Sequence, residues 1–196
     1  MMKSPKKGAF IETLLLSSRT IFSTQDMALL WSESDKKTIT NRLKKYVQAG
    51  KLLRVRRGLY AKNKNYNRLE LATRINTPAY ISFETVLTNT GVNFQHYNSI
   101  YIASYRSREI VIDDQRYIFI KIKDDVLSNT IGIKHENNIA IASRERAFLD
   151  CLYVNKEYYF DNIGSIDWDT AFNIVPIYQN KRLEKTLEKY YKQYKK

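Results

Sequence analysis

The amino-acid sequence predicts an α+β protein with two domains, residues 1–62 and 68–196. Three observations lead to this fold class. Apolar residues recur at helical spacing in three segments before residue 50, and two β-prone runs then flank a basic turn that ends at Gly58. A polar, asparagine-rich stretch at 63–67 interrupts the pattern. Beyond it, β-prone segments and a helical C-terminus predict an α+β domain with an antiparallel sheet and a C-terminal helix.

The first domain is expected to contain three helices. They are predicted over Ala9–Ser18, over a short segment after the capping group Ser23–Asp26, and over Lys36–Ala49. Ser34 or Asp35 can cap the third helix, because either side chain offers an oxygen to the first free backbone N–H groups. Gly50 can end it in a left-handed conformation.

The third helix is amphipathic. Its core-facing residues are predicted to be Ile39, Leu43, Tyr46 and Val47. The candidate DNA-binding residues on its other sides are Lys36, Lys37, Thr38, Asn41, Lys44, Lys45 and Gln48. Ordinary exposed faces mix acidic and basic residues, whereas this face has no acidic residue, which favours contact with the major groove of DNA over a plain solvated face.

The segment after the third helix, residues 51–61, is predicted to form a basic β-hairpin. Its candidate DNA-binding residues are Arg54, Arg56 and Arg57, which can reach backbone phosphates or a minor groove. Two helices, a basic amphipathic helix, a glycine and a basic hairpin, in that order, predict a winged helix-turn-helix that binds double-stranded DNA.

Positive charge is concentrated at the two ends of the chain, whose formal net charge is +13. Residues 1–62 hold 14 lysines and arginines against 4 acidic residues, and residues 181–196 hold 7 against 2. The intervening residues 63–180 hold 12 against 14. A chain that neutralises phosphates concentrates its positive charge, so this distribution supports nucleic-acid contact by the first domain.

The second domain is predicted to begin with two short helices, the second capped by Ser82. Residues 99–122 are expected to form a three-stranded antiparallel meander with a turn at Asp113–Gln115. A strand at 139–142, a helix capped by Ser143 and a basic amphipathic helix over 181–196 complete the prediction. The tyrosines of that last helix can contact nucleic acid or, more simply, pack onto their own domain.

Arg106, Arg108 and Arg116 are a possible additional nucleic-acid surface, since all three are expected on neighbouring strands. Solvated arginines that pair with Glu109 or Asp114 explain the same residues equally well.

Four stretches, in their order along the chain, carry a resemblance to a known family. They are Leu53–Tyr60 (LRVRRGLY), Pro78–Leu87 (PAYISFETVL), Arg106–Arg108 with Arg116–Phe119, and Ile141–Asp150 (IASRERAFLD). With these stretches the chain resembles the AbiEi antitoxins of type IV toxin–antitoxin systems, which act in bacterial abortive infection. The likeness spans most of residues 20–155; Arg144 stands where many relatives have proline, and the region after about residue 155 matches no part of the family.

The resemblance implies a transcriptional regulator whose winged helix represses its own operon, at an operator expected to contain inverted repeats. It also implies a second domain that counteracts a toxin similar to nucleotidyltransferases, without requiring that the two proteins bind each other. The alternative from another class is a winged-helix module that binds a protein partner and no operator.

The chain offers little for catalysis. Two histidines and one cysteine give no familiar zinc spacing, and six glycines include no phosphate-binding loop. Asp167 and Asp169 could hold a metal as in a nuclease, but a helix cap with a first-turn acid is the favoured interpretation. We therefore predict no enzyme activity, cofactor or metal site. The single cysteine, Cys151, together with the lack of a signal peptide or an apolar membrane span, predicts a cytoplasmic protein without membrane contact.

Overall fold

The computed structural model describes residues 9–95 and 97–195. The chain divides into two compact units, residues 1–75 and 76–196. Residues 68–75, which the sequence pattern assigns to the second domain, therefore belong to the first unit. No helix in the described ranges is both long and apolar enough to cross a membrane.

The first unit combines four helices with a small antiparallel sheet. In chain order its elements are α1 (Ala9–Leu16), β1 (Ile21–Ser23), α2 (Thr24–Leu30), α3 (Lys36–Gln48), β2 (Leu53–Arg56), β3 (Leu59–Ala61) and α4 (Arg68–Ile75). The strand order is β1-β3-β2, and both pairings are antiparallel. Strand β1 is not predicted by the sequence pattern, because three residues are too few to show the period of a strand.

Side-chain caps explain where α2 and α3 begin. The Ser23 hydroxyl accepts the Asp26 backbone N–H at 3.0 Å, and the Asp26 carboxylate accepts the Ser23 N–H at 2.7 Å, so α2 starts with a reciprocal capping box. Of the two caps considered for α3, Asp35 is the one used: it accepts the backbone N–H groups of Lys37 and Thr38. Gly50, with φ of 68°, follows the end of this helix as predicted.

One apolar core joins α1, α2 and α3 to the sheet of the first unit. Its buried residues are Leu14, Phe22, Met27, Trp31, Ile39, Leu43, Leu52 and Tyr60. Ile39 and Leu43 are at most 2% exposed, and Tyr46 and Val47 pack partly buried against the same core. The predicted inward face of α3 is therefore confirmed.

Helix α4 is attached to the first unit by charged groups. The guanidinium of Arg74 donates to Asp26 Oδ2 at 3.0 Å, while Arg19 donates to Asp26 Oδ1 at 2.7 Å. Glu70 accepts both the backbone N–H and the hydroxyl of Thr20, at 2.8 and 2.6 Å. These contacts explain why α4 belongs with the helices before it and not with the sheet that follows.

The second unit is built around a six-stranded sheet. Its strands are β4 (Ala79–Ile81), β5 (Ser99–Ser104), β6 (Arg108–Ile112), β7 (Gln115–Lys121), β8 (Ile133–Glu136) and β9 (Ile139–Ala142). Its helices are α5 (Phe83–Asn89), α6 (Asp124–Ser128), α7 (Arg144–Val154), α8 (Trp168–Ile174) and α9 (Lys181–Tyr194), with 3₁₀ turns at Ile163–Ser165 and Val175–Tyr178. The protein is thus of mixed α+β class with a sheet and a C-terminal helix, as the sequence predicts.

The predicted antiparallel meander over residues 99–122 is wrong. The strand order is β6-β7-β5-β4-β9-β8, and β7 lies between β5 and β6. Strand β5 pairs with β7 in parallel, as β4 does with β9, so the sheet is mixed. Asp113 and Asp114, both with positive φ, make the tight β6–β7 turn, while residues 105–107 carry the chain past the position that β7 fills. Alternation predicted the strands correctly, but it carries no information on their order.

A buried ion pair on α7 organises the core of the second unit. Ser143 caps this helix as predicted, accepting the Arg146 N–H at 3.2 Å. Arg146 and Asp150 are both fully buried. Burial raises the pKa of the Asp150 carboxyl, although Arg146 and three hydroxyl groups act in the opposite direction. Ser82 does not use its side chain as the predicted cap for α5, because its hydroxyl donates instead to Asp150 at 2.7 Å.

The tyrosines of α9 pack onto their own unit. Leu183 and Leu187 are fully buried, and the ring of Tyr190 lies 5.6 Å from that of Phe160. Tyr191 and Tyr194 pack against Trp168 with tilted rings, each at 5.4 Å between ring centroids. The sequence left two interpretations for the tyrosines of α9, contact with nucleic acid or packing onto their own domain, and the structure favours packing.

Candidate nucleic-acid interface

The outward face of α3 is exposed and basic. Its exposed predicted residues are Lys36, Lys37, Asn41, Lys44, Lys45 and Gln48. Among the described residues, none of the four lysines forms a salt bridge. No carboxylate of the described residues thus pairs directly with them, and the face can attract an anion.

The remaining polar residues of α3 are engaged within the protein. The Thr38 hydroxyl donates to Asp35 at 2.6 Å, and this bond, with the backbone N–H groups of Thr38 and Lys37, holds the pKa of the Asp35 carboxyl below its usual value. Thr40 donates to the Lys36 carbonyl oxygen at 2.8 Å. Thr38, a predicted site residue, is half-buried and lies at the cap rather than in the middle of the exposed face.

Arg42 is turned away from this face. Its guanidinium lies 5.1 Å from the centroid of the Trp31 ring and 3.9 Å from the Glu33 carboxylate. Arg42 is not among the candidate residues predicted from the sequence.

The basic hairpin is short, and a backbone hydrogen bond joins its tip to the start of α2. Strands β2 and β3 are joined by Arg57 and Gly58 alone, and Gly58 adopts a φ of 79° that a side-chain-bearing residue rarely takes. The Gly58 carbonyl oxygen accepts the backbone N–H of Thr24 at 3.1 Å, which holds the tip of the hairpin against the start of α2. The sequence does not indicate this contact, because the group around Thr24 predicts only a helix cap.

The three predicted arginines of the hairpin differ in exposure. Arg54 and Arg57 are exposed, whereas Arg56 is half-buried beside an irregularity in the β2–β3 register. The neighbouring strand β3 is buried throughout, and Tyr60 belongs to the same core as Ile39 and Leu43 of α3. The backbone segments that carry the hairpin arginines and the α3 lysines are therefore held on one packed core.

The whole segment from α3 to the end of the hairpin is basic. Residues 36–62 contain ten lysines and arginines and no aspartate or glutamate. One of them, Lys62, is engaged elsewhere: its ammonium group donates to the carbonyl oxygens of Leu15 and Ser17 at the end of α1. Lys51, which was not selected from the sequence, is exposed at the foot of the hairpin and adds to the basic surface.

The second predicted set of arginines is partly paired. Arg116 forms a salt bridge with Glu109 at 3.1 Å across strands β7 and β6, which is the pairing considered as the alternative to nucleic-acid contact. Arg106 lies in the connection before β6 rather than on a strand, donates to Asn76 at 3.1 Å and covers the Tyr105 ring. Arg108 is half-buried at the start of β6.

The acidic pair considered as a metal site serves a helix cap. Asp167 accepts the Thr170 backbone N–H at 3.1 Å and its hydroxyl at 2.8 Å, and these bonds lower the pKa of its carboxyl. Asp169 lies exposed in the first turn of α8. In the described part of the chain, no group of three or more histidine, cysteine, aspartate or glutamate residues could hold a metal ion. Cys151 is fully buried, and burial raises the pKa of its thiol well above the usual value.

The arrangement that stands out is thus a basic surface on α3 and the hairpin, which comes from a segment without acidic residues and is held on one core. No family model matches this chain, and no curated protein matches it.

Proposed function

We propose that residues 9–61 form a winged helix-turn-helix and that the protein is a sequence-specific DNA-binding regulator of transcription. The observation that carries this proposal is the basic surface formed by residues 36–62. This segment has no acidic residue, and eight of its ten lysines and arginines remain for the surface once Arg42, which pairs with Glu33, and Lys62, which binds the end of α1, are left out. A surface with one sign of charge and several unpaired lysines is suited to a phosphate backbone.

The order of elements supports the same function. Helices α2 and α3 form the helix pair, β2 and β3 form the wing, and β1 adds a third strand beside β3. In such a domain the second helix of the pair enters the major groove, and the wing contacts the adjacent backbone. Here that helix is α3, whose polar stripe, defined as Lys37, Asn41, Lys44 and Gln48, faces away from the core.

The contacts divide into two kinds. Lys37, Asn41 and Lys44 of the polar stripe offer hydrogen-bond donors and acceptors to base edges, so they would set the sequence preference. Arg54 and Arg57 present guanidinium groups that suit phosphate oxygens, so they would position the protein without reading sequence. The tie between Gly58 and Thr24 keeps the wing close to the helix pair, which favours the phosphates beside the groove as its target.

The specific biological role that we propose is that of an autorepressing antitoxin of the AbiEi type, which counteracts a nucleotidyltransferase toxin. Its support is the resemblance of four stretches, one of which contains the buried Arg146 and Asp150. Residues 76–196 would carry the antitoxin action. Co-expression with the product of the neighbouring gene tests this role: growth should be restored by the wild-type chain and also by a variant that no longer binds the operator.

Binding to the chain's own upstream DNA tests the regulatory function. A duplex of that DNA should bind far more tightly than a scrambled duplex, and a Lys37→Ala, Asn41→Ala, Lys44→Ala triple variant should lose most of the difference. A matched control is the triple Lys134→Ala, Lys156→Ala, Asn173→Ala, because all three of these residues are exposed in the second unit.

Two results would contradict the proposal. One is equal affinity for upstream and scrambled duplexes, together with stable capture of a neighbouring gene product, which would favour the protein-interaction alternative. The other is unchanged operator affinity in the α3 triple variant, which would remove α3 from the interface.

A further inference from the structure

Among the polar side chains of α3, the amide of Asn41 lies directly opposite the buried face of the helix. Asn41 is two residues from Ile39 and two from Leu43, the buried residues of the helix. At about 100° per residue, its side chain therefore points roughly 180° away from the midpoint of the buried face. No other residue of the polar stripe lies so directly opposite the core.

The Asn41 amide is also free to bind. Within the described residues it has no hydrogen-bond partner, whereas the hydroxyl groups of its neighbours Thr38 and Thr40 are bonded to Asp35 and to the Lys36 carbonyl. A free carboxamide presents one donor group and one acceptor side by side. The lysines around it present donors only.

Position along the helix distinguishes Asn41 from Gln48, the other residue of α3 with a side-chain amide. Asn41 is the sixth residue of α3, while Gln48 is the last of its 13 residues, about 10 Å farther along the axis at 1.5 Å per residue. Recognition helices contact base edges mainly through residues of their N-terminal part. Gln48 is therefore better placed for the backbone at the edge of the groove.

We infer that Asn41 reads an adenine in the major groove and is the main specificity-determining residue of this surface, an inference that rests on the proposed function. Adenine presents an N7 acceptor and an N6 donor, which match the two groups of a carboxamide in one bidentate pair. Lys37 and Lys44, which flank Asn41 on the stripe, match guanine acceptors or phosphates and cannot distinguish adenine in this way.

The test uses duplexes of the chain's own upstream DNA in which each adenine in turn is replaced by 7-deazaadenine, which lacks the N7 acceptor. For the wild-type chain, replacement at the contacted adenine should lower affinity by about 5-fold or more, since one bond of the pair is removed. For Asn41→Ala the same replacement should change affinity by less than about 2-fold, because the partner amide is absent. Changing that A·T pair to another pair should cost wild type roughly 5- to 150-fold in affinity, and Asn41→Ala much less.

Gln48→Ala is the matched control, since it removes another exposed amide from the same helix. It should keep the wild-type response to 7-deazaadenine. Asn41→Ala is expected to fold, because Asn41 is exposed and alanine has the higher helix propensity; far-UV circular dichroism checks this.

The outcomes separate the inference from the proposed function. If the wild-type chain prefers no duplex over scrambled DNA, the proposed function fails and the inference fails with it. If the chain binds its upstream DNA specifically but Asn41→Ala responds to every 7-deazaadenine as wild type does, the inference alone is overturned.

Discussion

Asp26 links three parts of the first unit through one carboxylate, so replacing it should destabilise that unit selectively. Its side chain is 10% exposed and accepts hydrogen bonds from Ser23, Arg19 and Arg74. Loss of the capping box should cost about 1 kcal/mol. Loss of the bond to Arg74 should cost about 1.5 kcal/mol, and that to Arg19, a more exposed partner, about 0.5 kcal/mol. The expected total for Asp26→Ala is about 3 kcal/mol.

Amide hydrogen exchange read by peptide measures this effect in the full chain. Peptides from α2, α3 and α4 should exchange roughly 150-fold faster in Asp26→Ala, since about 3 kcal/mol corresponds to that factor. Peptides from the second unit should be unchanged. The control is Asp125→Asn, an exposed carboxylate that pairs with the exposed Lys123, and this variant should stay within about 0.5 kcal/mol of wild type. Equal exchange in Asp26→Ala and the control would refute the assignment of Asp26 as the link.

The pH dependence of the stability difference between wild type and Asp26→Ala provides a second check. Burial raises the pKa of Asp26, but the hydrogen bonds from Ser23 and the charges of Arg74 and Arg19 outweigh it, so the pKa in the folded protein lies below the usual 3.8. Because the pKa of Asp26 is lower in the folded than in the unfolded protein, ionised Asp26 stabilises the fold fully at pH values above its unfolded pKa. This stabilisation is lost as the pH falls through the folded pKa. The gap between wild type and Asp26→Ala should therefore hold at neutral pH and shrink only below about pH 4.

Two further substitutions test the core of the second unit, and a third tests the wing. Arg146→Ala should destabilise this unit by about 3–5 kcal/mol in urea denaturation, because Asp150 would be left buried without its partner; the double variant Arg146→Met, Asp150→Leu should be milder. Gly132→Ala should also lower the urea midpoint, because the added carbon would lie 2.9 Å from Arg146 Cβ and Gly132 has a φ of 75°; an unchanged midpoint would contradict that packing. Arg57→Gln should weaken binding to specific and scrambled duplexes by a similar factor in fluorescence anisotropy, and a selective loss for the specific duplex would show that Arg57 reads bases.

Local signals in the sequence predicted α1, α2, α3 and the hairpin of the first unit, although not β1, and they distinguished the buried face of α3 from its exposed basic face. The spacing of Ile39 and Leu43 placed the core face of α3, and the polar stripe followed as its complement. Gly50 and the basic turn at Gly58 marked the end of α3 and the tip of the hairpin. Such features depend on neighbours within a few residues, which is the range that periodicity and capping patterns report.

Long-range arrangement could not be predicted in the same way. The insertion of β7 between β5 and β6 depends on which strands pair with each other. The alternation of apolar and polar residues within each strand is the same for every strand order, so it cannot predict this pairing. The attachment of α4 depends on Glu70 meeting Thr20 and on Arg74 meeting Asp26, pairs that are 50 and 48 residues apart. Ser82 resembled a helix cap by its neighbours, but Asp150, 68 residues away, takes its hydroxyl.

The salt dependence of binding to the chain's own upstream duplex tests the central claim most directly. If α3 and the wing hold DNA through phosphates, the logarithm of the association constant should fall linearly with the logarithm of salt concentration. Neutralising Arg54 and Arg57 together, as Arg54→Gln and Arg57→Gln, should then flatten the slope by about 1.8, or about 0.9 for each phosphate that the protein no longer neutralises. A wild-type slope near zero, or a slope unchanged in the double variant, would contradict a DNA-binding surface at this site.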